Sequence, residues 1–283
     1  VTDFLSLPSG NRNKPADGFT PSANGNGGVK VEVAVRTHVG MKRRINEDRT
    51  GLFTREGGRF LLAVVADGMG GHKSGDTASR MAVEGFGEEF GKADISSLNS
   101  DDGRAEWLAG VIERLNRDLF EHARSNEECR GMGTTLEAAV IAEKEATLCH
   151  IGDSRTYRLG PEGFEQVTKD HSLVTLLVDS GEITEEEARI HPKRNFIMRA
   201  LGTDDRVEPD IIPIRLPEGS ALLLCSDGLS NKLGENEIAE AVAGAGTATE
   251  RADALVDLAN ERGGEDNISV ILIDNGVREA DAE

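Results

Sequence analysis

The sequence predicts an α+β fold, a layered sandwich of sheets and helices, and three observations support it. Strand-like segments come in pairs, helix-like segments come in pairs, and strands then return, so the order lacks the strict alternation of a parallel βαβ sheet. Several apolar runs, such as "RFLLAVVAD" and "ALLLCSD", have strand length and end in polar turns, as strands covered on both faces do. Two longer segments repeat their apolar residues every three or four positions, as one helix face does.

Residues 1–30 are rich in Gly, Asn, Pro and Ser and hold too little apolar surface to offset the entropy of ordering, so a flexible tail is expected. From Val31, "VEVAVRT" alternates with period two and reads as a strand, and "RFLLAVVAD" reads as a buried one. A helix over about 74–91 aligns Ala78, Met81, Ala82 and Phe86, and a second over about 104–124 aligns Leu108, Ile112, Leu115 and Leu119. Two strands come next, "TTLEAAVIA" and "EATLCHI", joined by a short charged turn at 143–145. Further strands are expected near 154–159, 164–168 and 211–216, and then in "ALLLCSD" and "NISVILID". Residues 170–202 form a polar, helix-prone insert in which Thr184 and Glu187 have capping-box spacing. Two late helices, 235–243 and 248–262, precede the last strand. This gives one domain over 31–275 and a C-terminal tail over 276–283.

Composition narrows the function. Formal net charge is −19, which argues against a nucleic-acid backbone or an anionic membrane as partner. The longest apolar runs fall far short of the roughly 20 residues a membrane helix needs, and the start shows no signal-peptide pattern. The three cysteines, Cys129, Cys149 and Cys225, offer neither a disulfide framework nor a zinc pair, which fits a reducing cytoplasm.

One stretch, "CHIGDSRT", has the Cys-x5-Arg-Thr spacing of cysteine-dependent phosphatases. That chemistry needs a low-pKa thiolate at a helix N-terminus and a cradle free of negative charge. Cys149 instead lies in an alternating strand pattern, Asp153 would repel a phosphate, and the segment after Arg155 reads as another strand. Cys149 is therefore expected to be a small buried residue, with Arg155 bracing the Asp153 turn or pointing to solvent.

A stronger pattern is the acid at the edge of an apolar strand. Asp67 in "VVADGMGG", Asp153 in "HIGDSR" and Asp227 in "LLCSDGL" come after such strands, and Asp266 in "GGEDNISV" precedes one. Carboxylates gathered on one rim of a sheet repel unless cations hold them. With no His-rich or Cys-rich set beside them, Mg²⁺ or Mn²⁺ is favoured over zinc.

Taken together, "GMKRRINED", "VVADGMGGHKSGDTAS", "GMGTT", "HIGDSR", "KDHSLV", "HPKRNFIMRALG", "CSDGL" and "EDNISV" resemble the metal-dependent Ser/Thr protein phosphatase family (type 2C, PPM), bacterial branch. They run in family order across residues 31–275. The resemblance implies a four-layer α-β-β-α sandwich of two antiparallel sheets flanked by helices, with a two-ion Mn²⁺ or Mg²⁺ site at one end. By the same resemblance Asp67 bridges the two ions, Asp227 and Asp266 complete the first site, and the Gly68 carbonyl serves the second. Glu47 and Asp48 lie nearby, acting directly or through metal-bound water, and Asp153 with Asp227 holds a third, weaker ion. Arg43 grips the substrate phosphate, and residues 170–202 correspond to the family's flap.

The implied reaction is hydrolysis of phosphoserine or phosphothreonine by a metal-bridged hydroxide, without a covalent intermediate. Phosphorylated proteins, Ser/Thr kinases and their substrates, are the implied partners. Many eukaryotic members carry His directly after the Asp-Gly pair, where this sequence has Met69. The leaving-group proton is then left to His72 or to water on the third ion. A non-enzymatic sensor with a degenerate site is the competing class, though every matched carboxylate is present.

Overall fold

A computed structural model of the chain describes residues 31–70 and 74–276. The two terminal tails expected from the sequence, apart from Gly276, and His72 lie outside the described residues.

Eleven strands among the described residues build two antiparallel sheets. One orders β1 (Glu32–His38), β11 (Ile268–Asp274), β10 (Ala221–Cys225), β7 (Arg155–Gly160) and β8 (Gly163–Gln166). The other orders β2 (Asp48–Arg55), β3 (Phe60–Met69), β5 (Leu136–Ala142), β6 (Glu145–Ile151) and β9 (Asp210–Arg215), with the short β4 (Gly133–Thr134) paired to the end of β3. Helices α1 (Ser74–Lys92) and α2 (Asp101–Ser125) cover the second sheet, and α6 (Glu235–Ala243) and α7 (Ala248–Glu261) cover the first. The short α3 (Leu173–Asp179), α4 (Glu185–Ile190) and α5 (Asp227–Ser230) lie in the connections.

Strand alternation explains the layering. Along β3, Phe60, Leu62, Val64 and Ala66 pack toward α1 and α2, while Leu61, Ala63 and Val65 face the other sheet with Leu222, Leu224, Ile271 and Ile273. Both faces of β3 are covered, which is why its sequence is continuously apolar. Each such side chain contributes about 1.5–3 kcal/mol by leaving water. Trp107 on α2 sets its ring edge-on to Phe86 and Phe90 of α1, with centroids 6.3 and 6.0 Å apart, and so joins the two helices.

The expected elements form, with adjustments. The segment 134–142 breaks at Thr135 into β4 and β5, because Thr135 leaves the ladder and donates its backbone N–H to the Asp67 carbonyl at 2.9 Å. The strand read as ending at Asp67 continues to Met69, so Asp67 sits within β3. Asp227 opens the short helix α5 rather than ending β10. The sequence reading omitted β2: "DRTGLFTR" is polar because it is the edge strand, paired only to β3. Thr184 caps α4 as its spacing predicts, accepting from Glu187 N at 3.2 Å while Glu187 Oε2 accepts from Thr184 N at 2.8 Å. Among the described residues no helix is long and apolar enough to cross a membrane.

Candidate active site

The site begins where β2 and β3 run side by side. Register places Asp48 directly opposite Asp67, so two acids 19 positions apart in sequence become cross-strand neighbours. The backbone of Asp67 is clamped: its N–H donates to Thr135 Oγ1 at 3.0 Å, and its carbonyl accepts from Thr134 Oγ1 at 3.0 Å and from Thr135 N. Past Asp67 the chain meets the start of α1 so closely that a Cβ on Gly68 would lie 2.0 Å from the Gly75 carbonyl oxygen. Only glycine fits there.

Asp227 arrives from the other sheet at the end of β10. Its carboxylate interacts electrostatically with those of Asp48 and Asp67, and its Oδ2 accepts from Asn231 Nδ2 at 3.0 Å. A Cβ on the adjacent Gly228 would lie 1.9 Å from the Asn267 carbonyl, so glycine also lets α5 approach the start of β11. Asp266 precedes β11 and accepts from Arg43 Nη2 at 2.8 Å. Asn267 fastens the loop that carries Arg43, donating to the carbonyls of Val39 and Ile45 at 3.0 Å each and accepting from Glu47 N at 2.8 Å. Asp153, buried in the bend after β6, completes the group and interacts electrostatically with Asp67 and Asp227.

The structure thus gathers Glu47, Asp48, Asp67, Gly68, Asp153, Asp227 and Asp266 at one end of the sandwich, with Arg43 at the rim. Burial, reinforced by the neighbouring acids, pushes the carboxyls of Glu47, Asp48, Asp67, Asp153 and Asp227 upward. Asp48 rises to about 7 despite a hydrogen bond from Ser226, Asp153 to about 8, and Asp227 to about 6. Asp67 rises well above the usual range through burial and then Asp48, and burial raises Glu47.

Whether a cation fits is decided by lone pairs. Seven buried side-chain atoms among the described residues lack a hydrogen-bond partner, and four are carboxylate oxygens of this group: Glu47 Oε1, Asp48 Oδ1, Asp153 Oδ1 and Asp227 Oδ1. Buried acceptors left open in this way await a donor or a positive ion. As the side chains stand, no three His, Cys, Asp or Glu among the described residues close into a finished ligand cage. The acids are neighbours whose like charges repel, and a bound ion would offset that repulsion. Oxygen donors of this kind suit a hard divalent cation.

The sequence reading missed three supports. Ser226 Oγ donates to Asp48 Oδ2 at 2.8 Å, Thr135 holds Asp67, and Asn267 holds the Arg43 loop. All three lie inside the motifs that carry the family resemblance, where a short polar side chain was the available signal. Two other expectations resolve clearly. Cys149 is fully buried and its thiol is pushed up, first by burial and then by Glu137 and Asp210, so it is no thiolate nucleophile. Arg155 does not point to solvent: Nε and Nη2 grip Asp170 at 2.8 Å each, and its charge also acts on Asp153.

The protein phosphatase 2C family pattern matches residues 38–262. The chain is 40% identical over 239 residues to the serine/threonine phosphatase stp of Listeria monocytogenes, covering 84% of this chain and 94% of that one. The crystal structure of Stp1 from Staphylococcus aureus, a serine/threonine phosphatase, superposes with a TM-score of 0.82 at 38% identity, covering 87% of this chain and 96% of that one. The catalytic domain of the serine threonine protein phosphatase PstP, in complex with 2 manganese ions, gives 0.74 at 35%, covering 86% and 97%. Family pattern, identity over most of both chains and shared architecture lead to one conclusion: the chain belongs to the protein phosphatase 2C family.

Proposed function

We propose that the chain is a divalent-metal-dependent protein serine/threonine phosphatase, with one catalytic domain over 31–275. It would hydrolyse phosphoserine and phosphothreonine by direct attack of water, without a covalent intermediate. The observation that carries this reading is the row of partnerless carboxylate oxygens on Glu47, Asp48, Asp153 and Asp227, set beside the Arg43 guanidinium.

Asp67, Asp227, Asp266, Glu47 and the Gly68 carbonyl would hold two Mn²⁺ or Mg²⁺ ions, with Asp67 at the centre of the set. Asp153 and Asp227 are assigned to a third, weaker one. When bound, such ions supply hydroxide at neutral pH and positive charge facing the phosphate. Arg43, half exposed and anchored through Asp266, forms charge-assisted bonds to the phosphate oxygens and holds phosphorus in line for attack. Asp48 is fixed at Oδ2 by Ser226, which leaves Oδ1 free to accept a proton from the attacking water and orient it. The leaving oxygen takes its proton on the Asp153 side, since Met69 occupies the position where a histidine would be the donor.

Phosphorylated Ser/Thr kinases and their substrates are the partners this reading favours, and the three free cysteines suit a reducing cytoplasm.

The test is hydrolysis of para-nitrophenyl phosphate with Mn²⁺, with EDTA, and by Asp67→Asn and Cys149→Ser variants. Turnover should vanish with EDTA and with Asp67→Asn, and survive Cys149→Ser. Activity that persists in EDTA but dies with Cys149→Ser would overturn the reading, and no turnover under any condition would favour a binding role. Asp153→Ala should slow a phosphoserine peptide more than an aryl phosphate, whose leaving group needs no proton; equal losses would remove Asp153 from proton delivery.

A further inference from the structure

The large apolar side chains that stay exposed among the described residues are Met41, Ile45, Leu176, Ile190, Phe196 and Met198. Single exposed apolar residues need no explanation, but these are confined to two segments, one at each margin of the acid cluster. Met41 and Ile45 flank Arg43 at two positions either side, Met41 being 63% exposed. Their loop is pinned at the site by Arg43 to Asp266 and by Met41 N to the Gly264 carbonyl at 2.6 Å.

The other four lie on the 170–202 insert, which is fastened beside Asp153. His171 N donates to the Gly152 carbonyl at 2.7 Å, and Gly152 N donates back to His171 Nδ1 at 3.2 Å. Ile197 forms an isolated antiparallel bridge with Ser172, with Leu173 N donating to Phe196 O at 2.9 Å and Met198 N to His171 O at 2.7 Å. On either side of that bridge Phe196 and Met198 are both exposed, while Ile197 is partly covered. Asp153 and Asp266 both interact electrostatically with Asp67, so the acids span from one apolar segment to the other.

Charge sharpens the picture. In a chain of net charge −19, residues 40–46 carry Lys42, Arg43 and Arg44 with no acid, and residues 191–199 carry Lys193, Arg194 and Arg199 with no acid. The Arg43 loop and the Phe196–Met198 end of the insert are therefore locally basic, whereas the acids of the insert, Asp170, Asp179, Glu182 and Glu185 to Glu187, lie toward its other end.

We propose that these two segments form the docking surface for the phosphorylated stretch of a protein substrate. Its phosphoresidue is flanked on both sides by apolar residues and accompanied by acidic ones. This deepens the phosphatase reading and rests on it. The apolar side chains supply burial on either side of the scissile phosphate, and the cations select acidic neighbours.

The experiment measures kcat/KM, with Mn²⁺, for three phosphothreonine peptides and for para-nitrophenyl phosphate. The peptides carry apolar and acidic flanks, alanine flanks, or apolar and basic flanks. On the unaltered enzyme the first should exceed the other two by about tenfold, the effect of burying one or two apolar side chains. In the Phe196→Ala/Met198→Ala double variant, its ratio to the aryl phosphate should fall by about the same factor, while the ratio for the alanine-flanked peptide changes less than twofold. Lys193→Glu/Arg194→Glu should invert the preference between acidic and basic flanks. Equal rates for all three peptides, or equal losses on the first two, would overturn the proposal. So would peptide kinetics untouched by the variants while they abolish sedimentation with phosphatidylserine vesicles or dissolve a dimer, which would assign the surface to a membrane or a second copy. Failure of the phosphatase reading itself is separate, because the unaltered enzyme would then show no metal-dependent aryl phosphate turnover.

Discussion

Two groups of buried ionisable side chains lie next to each other and differ in one respect. At the base of the insert, Glu137 pairs with His150 Nδ1 through Oε1 and accepts from Thr156 Oγ1 at 2.6 Å through Oε2, while His150 Nε2 donates to the Lys169 carbonyl at 2.9 Å. Every polar atom of that pair has a protein partner. In the acid cluster four carboxylate oxygens have none. A closed network is a structural device, and an open one built of like charges is a receptor for something else. Burial alone does not separate the two, since Asp48 and Asp153 of the cluster are buried as the Glu137–His150 pair is.

The sharpest way to break this contrast is to remove one acid from the open cluster. Asp67→Asn should cost on the order of a thousandfold or more in kcat/KM, the several kcal/mol of charge stabilisation assigned to metals. In EDTA the same variant should melt no lower than the parent, because it relieves repulsion; a lower melting temperature would show that Asp67 is a structural acid.

The closed network should respond in the opposite sense. His150→Ala leaves the buried Glu137 without its partner and should cost about 3–5 kcal/mol of stability, read by denaturant unfolding in EDTA. A loss below about 1 kcal/mol, the scale of an exposed ion pair, would make the pair incidental.

Acidity gives a third separation. Carboxyls such as Asp48 and Asp153 have folded-state pKa values of about 7 and about 8, above an unfolded value near 4. The folded metal-free protein therefore binds the extra protons between those limits. Its stability should be greatest near pH 4–5 and fall, by on the order of a few kcal/mol, as pH rises toward 8. Mn²⁺ should then stabilise most at the alkaline end, and melting curves with and without Mn²⁺ across that range check it. A metal-free protein that gains stability with rising pH would contradict the cluster's assigned charge. The smallest effect is Cys149→Ser, which should leave aryl phosphate turnover within about twofold and cost about 1–3 kcal/mol for a buried hydroxyl.

Legibility in the sequence divides along similar lines. Strands covered on both faces, β3, β10 and β11, announce themselves as apolar runs, and the acids beside them stand out by contrast. The edge strand β2 does not, because its exposed side permits Arg49, Thr50 and Thr54. The four-layer arrangement came from family resemblance; alternation along a strand indicates two faces but not what covers each. Asp48 facing Asp67 is a product of strand register, and Arg155 gripping Asp170 depends on the hairpin of β7 and β8 returning the chain. Neither leaves a mark on local sequence. The Ser226 hydroxyl beside Asp227 was visible, but its partner, Asp48, lies 178 positions away.

The pairing of β1 with β11 has a consequence for biosynthesis. Glu32 lies opposite Asp274, so the first described strand finds its neighbour only when the last has left the ribosome. Asp266 and Asn267, which fasten Arg43 and its loop, arrive equally late. A nascent or prematurely terminated chain carries Asp67 and Asp153 but no anchored arginine and an open sheet edge. Long-range closure of this kind folds slowly. It also ties competence to synthesis through β11, so a chain interrupted before that strand would lack the anchored arginine.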